Sequence, residues 1–261
     1  IGKGGTMKSY LLQEECIRTS LERKQNSLYC NLEMSDITFF DRVWATMFQE
    51  SMTDMVRDGK ITEQNIESYA FSVKELMANY LHIFSDVDVE PSDIEGIIKR
   101  KEDEIKGKII LSGIDSVGGM KELGDNEGVN AKRISKYLKE AAKNTNSAIL
   151  LINHARNDCP DVMRDCSPFV RGGSKFIDNC DAYLSLSKVV DKEASNFEKD
   201  PKDIVFKKSF KYLRFVNKRG SGNTISKIIE FGDYGRVVVK EDNPIDYEIN
   251  SFESGGYTFK M

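Results

Sequence analysis

The feature that most constrains this chain is its opening, residues 2–9 with the sequence GKGGTMKS, followed by residues 10–24, whose apolar residues recur with a helical period. The pattern G-x-x-x-x-G-K-[ST] holds phosphates with successive backbone N–H groups, places its lysine on the β and γ phosphates and uses its hydroxyl for Mg²⁺. Here the first glycine, the lysine and the serine match in register, whereas Met7 stands at the second glycine position. The opening therefore predicts a phosphate-binding loop that leads into a helix.

Two features of this loop depart from the usual pattern. A side chain at the second glycine position is tolerated if the backbone angle of Met7 is ordinary, and Gly4 and Gly5 keep the rest of the loop flexible. Loops of this type normally follow a buried strand, but only Ile1 precedes this one. We therefore expect residues 1–261 to form one domain that is truncated at its N-terminus within the phosphate-binding loop.

The rest of the chain alternates short apolar runs with longer amphipathic stretches. The strand-like runs lie at residues 27–32, 80–85, 108–115 and 147–153. The helical patterns lie at residues 37–57, 62–79, 91–106 and 130–144. This alternation predicts an α/β fold with a mostly parallel sheet covered by helices on both faces. After residue 181 the pattern changes to four short strands, which predict a C-terminal antiparallel meander at one edge of the sheet.

Composition excludes several classes of protein. No apolar run approaches the roughly 20 residues that cross a bilayer, so we expect no membrane partner. Five cysteines without C-x-x-C spacing favour free thiols in a reducing cytoplasm, and pairing or metal binding by Cys159 and Cys166 is the less favoured alternative. The net charge of −4 gives no global positive field for nucleic acid, so any such binding must be local. The basic stretch 207–219 is one such place, although a solvated strand edge explains it equally well.

Polar side chains stand where three of the predicted strands end. Asp115 is either a turn residue or a carboxylate that holds the water shell of Mg²⁺ beside the ligand crevice. Glu33 can orient or deprotonate an attacking water, or cap the next helix. His154 can sense a γ phosphate or form an ordinary surface hydrogen bond. Taken with Lys8, these positions predict a nucleotide site at one edge of the sheet.

The order of several segments resembles a known family. These segments are GKGGTMKS, NLEMSD at 31–36, IILSGID at 109–115, LLINHARN at 150–157, VRGGSKFIDNCDA at 170–182 and FVNKRGSGNT at 215–224. Over nearly the whole chain they resemble the RecA-like ATPase domain of DnaB-type hexameric replicative helicases. A bulky residue at position 7 is compatible with a phage or plasmid origin. The resemblance implies a RecA-like P-loop fold that uses ATP and Mg²⁺.

The resemblance also implies roles for individual residues. Glu33 is implied as the catalytic carboxylate, His154 as the phosphate sensor and Arg219 as the finger that reaches a neighbour's nucleotide. The metal ligands are Ser9 and Asp115. The residues implied in nucleotide binding are Gly2, Gly4, Gly5, Thr6, Met7, Lys8, Ser9, Tyr10, Arg42 and Lys218. The family has a K-x-R pair where this chain has Asn217-Lys218-Arg219, so the spacing of the basic pair differs.

The family's DNA-contacting loops follow the metal-site strand and the sensor strand, here residues 116–129 and 155–174. The second loop is the stronger candidate, and its DNA-binding residues are Arg156, Arg164, Arg171, Gly172 and Gly173. The partners implied are single-stranded DNA, further copies of the chain in a hexameric ring, and a primase or helicase loader. The place of action implied is the cytoplasm of a bacterial cell or a phage-infected host.

Two rival functions share parts of this pattern. A recombinase that forms filaments on single-stranded DNA needs the same ATP chemistry and differs in assembly. A non-catalytic assembly or loader subunit would explain Met7 as a decayed phosphate loop. The sequence favours the helicase motor because the long helical segment between Asp36 and Tyr80 fits the helicases better than the recombinases.

Overall fold

The computed structural model describes residues 1, 2, 4, 6–86, 88–121, 127–160, 166–188, 211–218, 224–231 and 237–240. The helices are α1 (Lys8–Leu21), α2 (Asp36–Phe48), α3 (Met52–Arg57), α4 (Ile66–Asn79), α5 (Ile94–Ile105), α6 (Glu127–Thr145) and α7 (Ser174–Ile177). The strands are β1 (Asn26–Asn31), β2 (Leu81–Ser85), β3 (Ile109–Asp115), β4 (Ala148–Leu151), β5 (Ala182–Lys188), β6 (Lys211–Lys218), β7 (Thr224–Phe231) and β8 (Val237–Lys240).

The first sheet is parallel, with the strand order β2-β1-β3-β4. Within it Asn31 pairs with Asp115, so β1 and β3 end at the same level. The carboxyl ends of parallel strands meet at one edge, where the residues after β1, β3 and β4 come together. The predicted parallel sheet is therefore confirmed.

The second sheet, β5-β6-β7-β8, is antiparallel, as predicted for the meander. The predicted place of the meander is wrong, because its described strands form a sheet of their own and do not extend the edge of the parallel sheet. The first two residues of the chain link the two sheets. Ala155 N–H donates to Gly2 O at 3.0 Å, and Leu186 N–H donates to Ile1 O at 2.8 Å. Ile1 also helps to line a groove of about 640 Å³ that runs along β4.

Two apolar clusters cover opposite faces of the parallel sheet. One contains Leu28 and Cys30 of β1 with residues of α5 and α6, and the other contains Tyr29 with residues of α1, α2 and α4. This alternation along β1 follows from the two-residue period of a strand. Both faces are therefore covered, as the sequence predicts. Within the described part of the chain, no helix is long and apolar enough to cross a membrane.

The helical segment after β1 differs from its prediction. We expected one helix over residues 37–57, but α2 ends at Phe48 and α3 begins at Met52. Gln49 between them has the left-handed backbone angles φ 55° and ψ 32°. The Ser51 hydroxyl then accepts from Asp54 N–H at 3.0 Å and starts a new helix. The helix predicted from residue 62 likewise begins only at Ile66.

The five cysteines are free thiols. Cys159 and Cys166 lie in one small buried cluster with Ala155 and Phe169, without a bond between them.

Candidate functional site

The glycine-rich segment precedes α1, whose first residue is Lys8. Its last residue, Met7, has φ 59° and ψ 23°, which is the left-handed region that glycine adopts without strain. The condition of an ordinary backbone angle is therefore not met, and the conformation costs about 1–2 kcal/mol for a residue with a Cβ. The Met7 side chain packs against Leu186 of β5 and Ile229 of β7, and this contact offsets part of the strain.

Gly2 is required by close packing rather than by its backbone angle. A Cβ on Gly2 would lie 2.5 Å from Leu186 O and 2.7 Å from the Thr6 hydroxyl. Gly4 has open space around it. Gly5, which the sequence also assigns to phosphate binding, lies outside the described residues.

Lys8 is a buried cation in this loop. Its side chain is largely enclosed, and Nζ donates to Thr6 Oγ1 at 3.4 Å. Burial lowers the pKa of Lys8 to about 8, and the charges of Asp115 and Glu33 partly oppose that shift. Ser9 follows in the first turn of α1, where free backbone N–H groups favour anions. The loop can therefore bind an anionic group such as a phosphate.

Asp115 ends β3 and is 1% exposed. Its Oδ2 accepts a hydrogen bond from the Tyr29 hydroxyl at 2.6 Å. Its Oδ1 is buried and has no hydrogen-bond partner among the described residues. A buried carboxylate oxygen without a donor is costly, and a hydrated divalent cation would satisfy it. The environment of Asp115 therefore fits a magnesium ligand.

Glu33 and His154 lie at the same edge of the sheet. Glu33 Oε1 is 3.7 Å from His154 Nε2, and both side chains are partly exposed. Burial and the nearby Lys8 charge lower the pKa of His154, so its ring is neutral at pH 7. The loop after β3 packs closely against the residues that follow β1. A Cβ on Gly119 would lie 2.6 Å from Leu32 O, and one on Gly118 would lie 3.5 Å from Glu33 Oε1.

Tyr10 and Arg42 form a stacked pair beside the phosphate loop. The guanidinium carbon of Arg42 lies 4.0 Å from the centroid of the Tyr10 ring. Arg42 Nη1 also donates to the Gln13 side-chain oxygen at 2.9 Å, which fixes the guanidinium. The structure therefore places Tyr10 and Arg42, which the sequence assigned to nucleotide binding one by one, in direct contact. It also identifies Gln13 as the hydrogen-bond partner of Arg42.

The second candidate DNA loop is joined to the end of β4. Arg171 N–H donates to His154 O at 3.0 Å, and the Asn153 side chain donates to Arg171 O at 3.1 Å. Gly172 and Gly173 then adopt φ of 84° and 70°, a conformation that suits glycine. Arg171 is exposed. Sequence reasoning did not identify the Asn153 contact, since an asparagine before the sensor histidine has no pattern of its own.

The remaining residues predicted to bind DNA or nucleotide either pair with neighbouring side chains or lie where the structure gives no side-chain position. Arg156 pairs with Asp158 at 3.0 Å and lies 5.9 Å from the Phe169 ring centroid. Lys218 ends β6, where the backbone alone is described. Arg164 and Arg219 lie outside the described residues. In the first candidate loop Lys121 pairs with Glu90 at 3.1 Å.

Comparisons with known proteins identify the family and the fold. Residues 2–159 match the family model described as the DnaB-like helicase C-terminal domain. A solved ATPase domain superposes with a TM-score of 0.69 at 12% identity, covering 92% of this chain and 83% of that one. A structure of a DnaB-like replicative helicase and its interactions with primase gives 0.68 at 13% identity, covering 91% and 55%. At these identities the two structures show a shared RecA-like fold. No curated protein matches the sequence.

Proposed function

The chain belongs to the family of DnaB-like helicase C-terminal domains, and from that membership we propose that residues 1–261 form one ATPase domain that drives translocation on single-stranded DNA. Members of this family are ATP-hydrolysing helicase motors, so the chain uses a nucleotide. The observation that carries the proposal is the convergence of Lys8, Asp115, Glu33 and His154 at the carboxyl edge of one parallel sheet. The family match favours the helicase over the filament-forming recombinase.

In the proposed complex the phosphates of ATP bind at the N-terminus of α1. The loop containing Gly2, Gly4, Gly5, Thr6 and Met7 surrounds them, and Lys8 neutralises charge on the β and γ phosphates. A polyanion beside the buried ammonium would raise the pKa of Lys8 and keep it charged. The stacked Tyr10–Arg42 pair offers a flat surface for the nucleotide base.

Ser9 and Asp115 would hold Mg²⁺. When bound, the cation would neutralise the β and γ phosphate oxygens as the terminal phosphoryl group leaves. Asp115 contributes by presenting a buried oxygen with no protein donor among the described residues, the environment that a cation or one of its waters satisfies.

Glu33 would orient the attacking water and accept its proton. The distance of 3.7 Å between Glu33 Oε1 and His154 Nε2 is too long for a direct hydrogen bond, so both groups can face one water. The neutral imidazole of His154 can donate a hydrogen bond to the terminal phosphate while its backbone oxygen holds Arg171. Through His154, the presence or absence of the terminal phosphate would change the position of the DNA-contacting loop.

DNA binding is assigned mainly to Arg171 with Gly172 and Gly173, because Arg171 is exposed and its backbone is fixed to the sensor strand. Arg156 and Arg164 are the secondary contacts proposed. The overall charge of −4 requires that the grip on DNA be local.

The proposed assembly is a homo-hexameric ring with ATP between subunits. Arg219, with Lys218 beside it, would reach across each interface and stabilise the transition state in the neighbour. Primase or a helicase loader is a further proposed partner, and the proposed place of action is the cytoplasm of a bacterial or phage-infected cell. Support comes from the family and from the described complex of one structural neighbour with primase.

Substitution of Lys8 tests the proposal most directly. Lys8→Ala in the assembled protein should abolish DNA-stimulated ATP hydrolysis and weaken nucleotide binding, because the phosphoryl charge loses its cation. Lys74→Ala, an exposed position on α4, is the control and should keep full activity. Retained DNA-stimulated hydrolysis in Lys8→Ala would exclude the assigned phosphate site. Nucleotide binding without turnover in the unaltered assembly would instead favour the non-catalytic loader.

A further inference from the structure

Tyr29 lies in the centre of the parallel sheet and is not part of any nucleotide-binding motif. It belongs to β1, is 0% exposed and points to the face covered by α1 and α2. The Phe39 ring packs against it with the ring centroids 4.6 Å apart. A tyrosine in such a place buries its hydroxyl, which then requires a partner.

The partner of that hydroxyl is Asp115 Oδ2, at 2.6 Å. A tyrosine hydroxyl carries its proton at neutral pH, whereas an ionised carboxylate can only accept, so Tyr29 is the donor of this hydrogen bond. The carboxyl carbon and both oxygens of Asp115 are coplanar, so a hydrogen bond to one oxygen fixes the direction of the other. That other oxygen, Oδ1, is the one without a partner among the described residues.

We propose that Tyr29 is a positioning residue of the magnesium site, holding Asp115 by Oδ2 so that Oδ1 is directed at the cation or its water. The inference rests on the proposed metal role of Asp115. Backbone contacts alone do not fix the carboxylate, because the hydrogen bond from Leu32 N–H goes to Asp115 O and leaves the side chain free to rotate. Phe39 holds the Tyr29 ring and Tyr29 holds the carboxylate.

The test uses Mn²⁺ in place of Mg²⁺ and follows its electron paramagnetic resonance signal with the assembled protein and a non-hydrolysable ATP analogue. Partners that orient metal ligands typically contribute about tenfold to metal affinity, so Tyr29→Phe should weaken Mn²⁺ binding by about that factor. Nucleotide binding in the presence of chelator should not change. Tyr69→Phe, whose ring packs on Trp44 and Phe48, is the matched control and should bind Mn²⁺ normally.

Asp115→Asn separates this inference from the proposed function. Asp115→Asn should weaken Mn²⁺ binding by itself, and adding Tyr29→Phe to it should cause little further loss because both changes act through one contact. Normal Mn²⁺ binding by Tyr29→Phe, with weakened binding by Asp115→Asn, would overturn the positioning role alone. Normal binding by Asp115→Asn would overturn the metal site and the inference with it. If Tyr29→Phe does not fold, Tyr29→Met fills a similar volume without a hydroxyl and carries the same expectations.

Discussion

Glu33 and His154, at the ends of different strands, come within 3.7 Å of each other at the edge of the parallel sheet. The burial and the Lys8 charge that lower the pKa of His154 make this a contact between a carboxylate and a neutral ring at pH 7. The two groups therefore do not form an ion pair of opposite charges at that pH. A carboxylate without an imidazolium partner fits the role of base proposed for Glu33.

Glu33→Gln should slow ATP hydrolysis by about 10²-fold or more while leaving ATP affinity intact, since the amide cannot accept the proton of the attacking water. Single-turnover hydrolysis and equilibrium binding of a fluorescent ATP analogue measure the two quantities separately. Glu63→Gln, an exposed position before α4, should behave like the unaltered protein. A mutant that loses affinity but keeps its turnover rate would contradict the role of Glu33.

Arg219→Ala should bind ATP normally and hydrolyse it slowly, by about 10³-fold if it acts as a finger in the neighbouring subunit. Mixed rings of Arg219→Ala and Glu33→Gln subunits contain some interfaces with both residues intact. Their ATPase rate should exceed that of either parent. Absence of recovery in rings confirmed as mixed by native mass spectrometry would count against action across the interface.

Arg171→Ala should weaken binding of single-stranded DNA equally for all base sequences. Each neutralised phosphate contributes about −0.7 to the slope of log affinity against log salt, so the slope should flatten by roughly that amount for each phosphate that Arg171 no longer neutralises. Fluorescence anisotropy over a salt series measures it, with the exposed Arg100→Ala on α5 as the control. An unchanged slope would move the DNA contact to the basic stretch 207–219.

The two histidines of the chain should make stability depend on pH. Burial lowers the pKa of both His82 and His154 below the ordinary 6.5. On acidification the unfolded chain therefore takes up protons near pH 6.5 before the folded chain does. The contribution of the two histidines to the free energy of unfolding should thus be fully present and constant above pH 6.5, and should be lost as the pH falls from 6.5 toward their folded-state pKa values. Denaturant unfolding at several pH values measures this slope, which His82→Gln and His154→Gln should each reduce and the double variant reduce most.

The fold was largely predictable because its determinants are local in sequence. Apolar runs that end in Glu33, Asp115 and His154 indicate buried parallel strands with polar carboxyl ends, and the ends of such strands must meet. The register of β1 against β3 was not predictable in this way, because it depends on packing between segments that are distant in the sequence. The Tyr29 contact with Asp115 follows from that register and could not be derived from spacing alone.

Two other features were not predicted, because each depends on contacts between particular side chains and not on a local sequence pattern. The break between α2 and α3 depends on capping by Ser51, which competes with a continuous apolar pattern of helical period. The stacking of Arg42 on Tyr10 joins two helices whose relative position no local pattern specifies. The one clue to Tyr29 in the sequence was a tyrosine hydroxyl between Leu28 and Cys30, inside a strand-like run.

The side chain of Met7 attaches the phosphate loop to the antiparallel sheet, which a glycine at this position could not do. A glycine there would leave the loop free to fluctuate when empty, and ordering it on ATP binding would cost conformational entropy. Here the side chain is anchored on Leu186 and Ile229, so the loop is preorganised by the strands of the meander. Because that anchor lies on β5 and β7, loosening the antiparallel sheet would also loosen the phosphate loop.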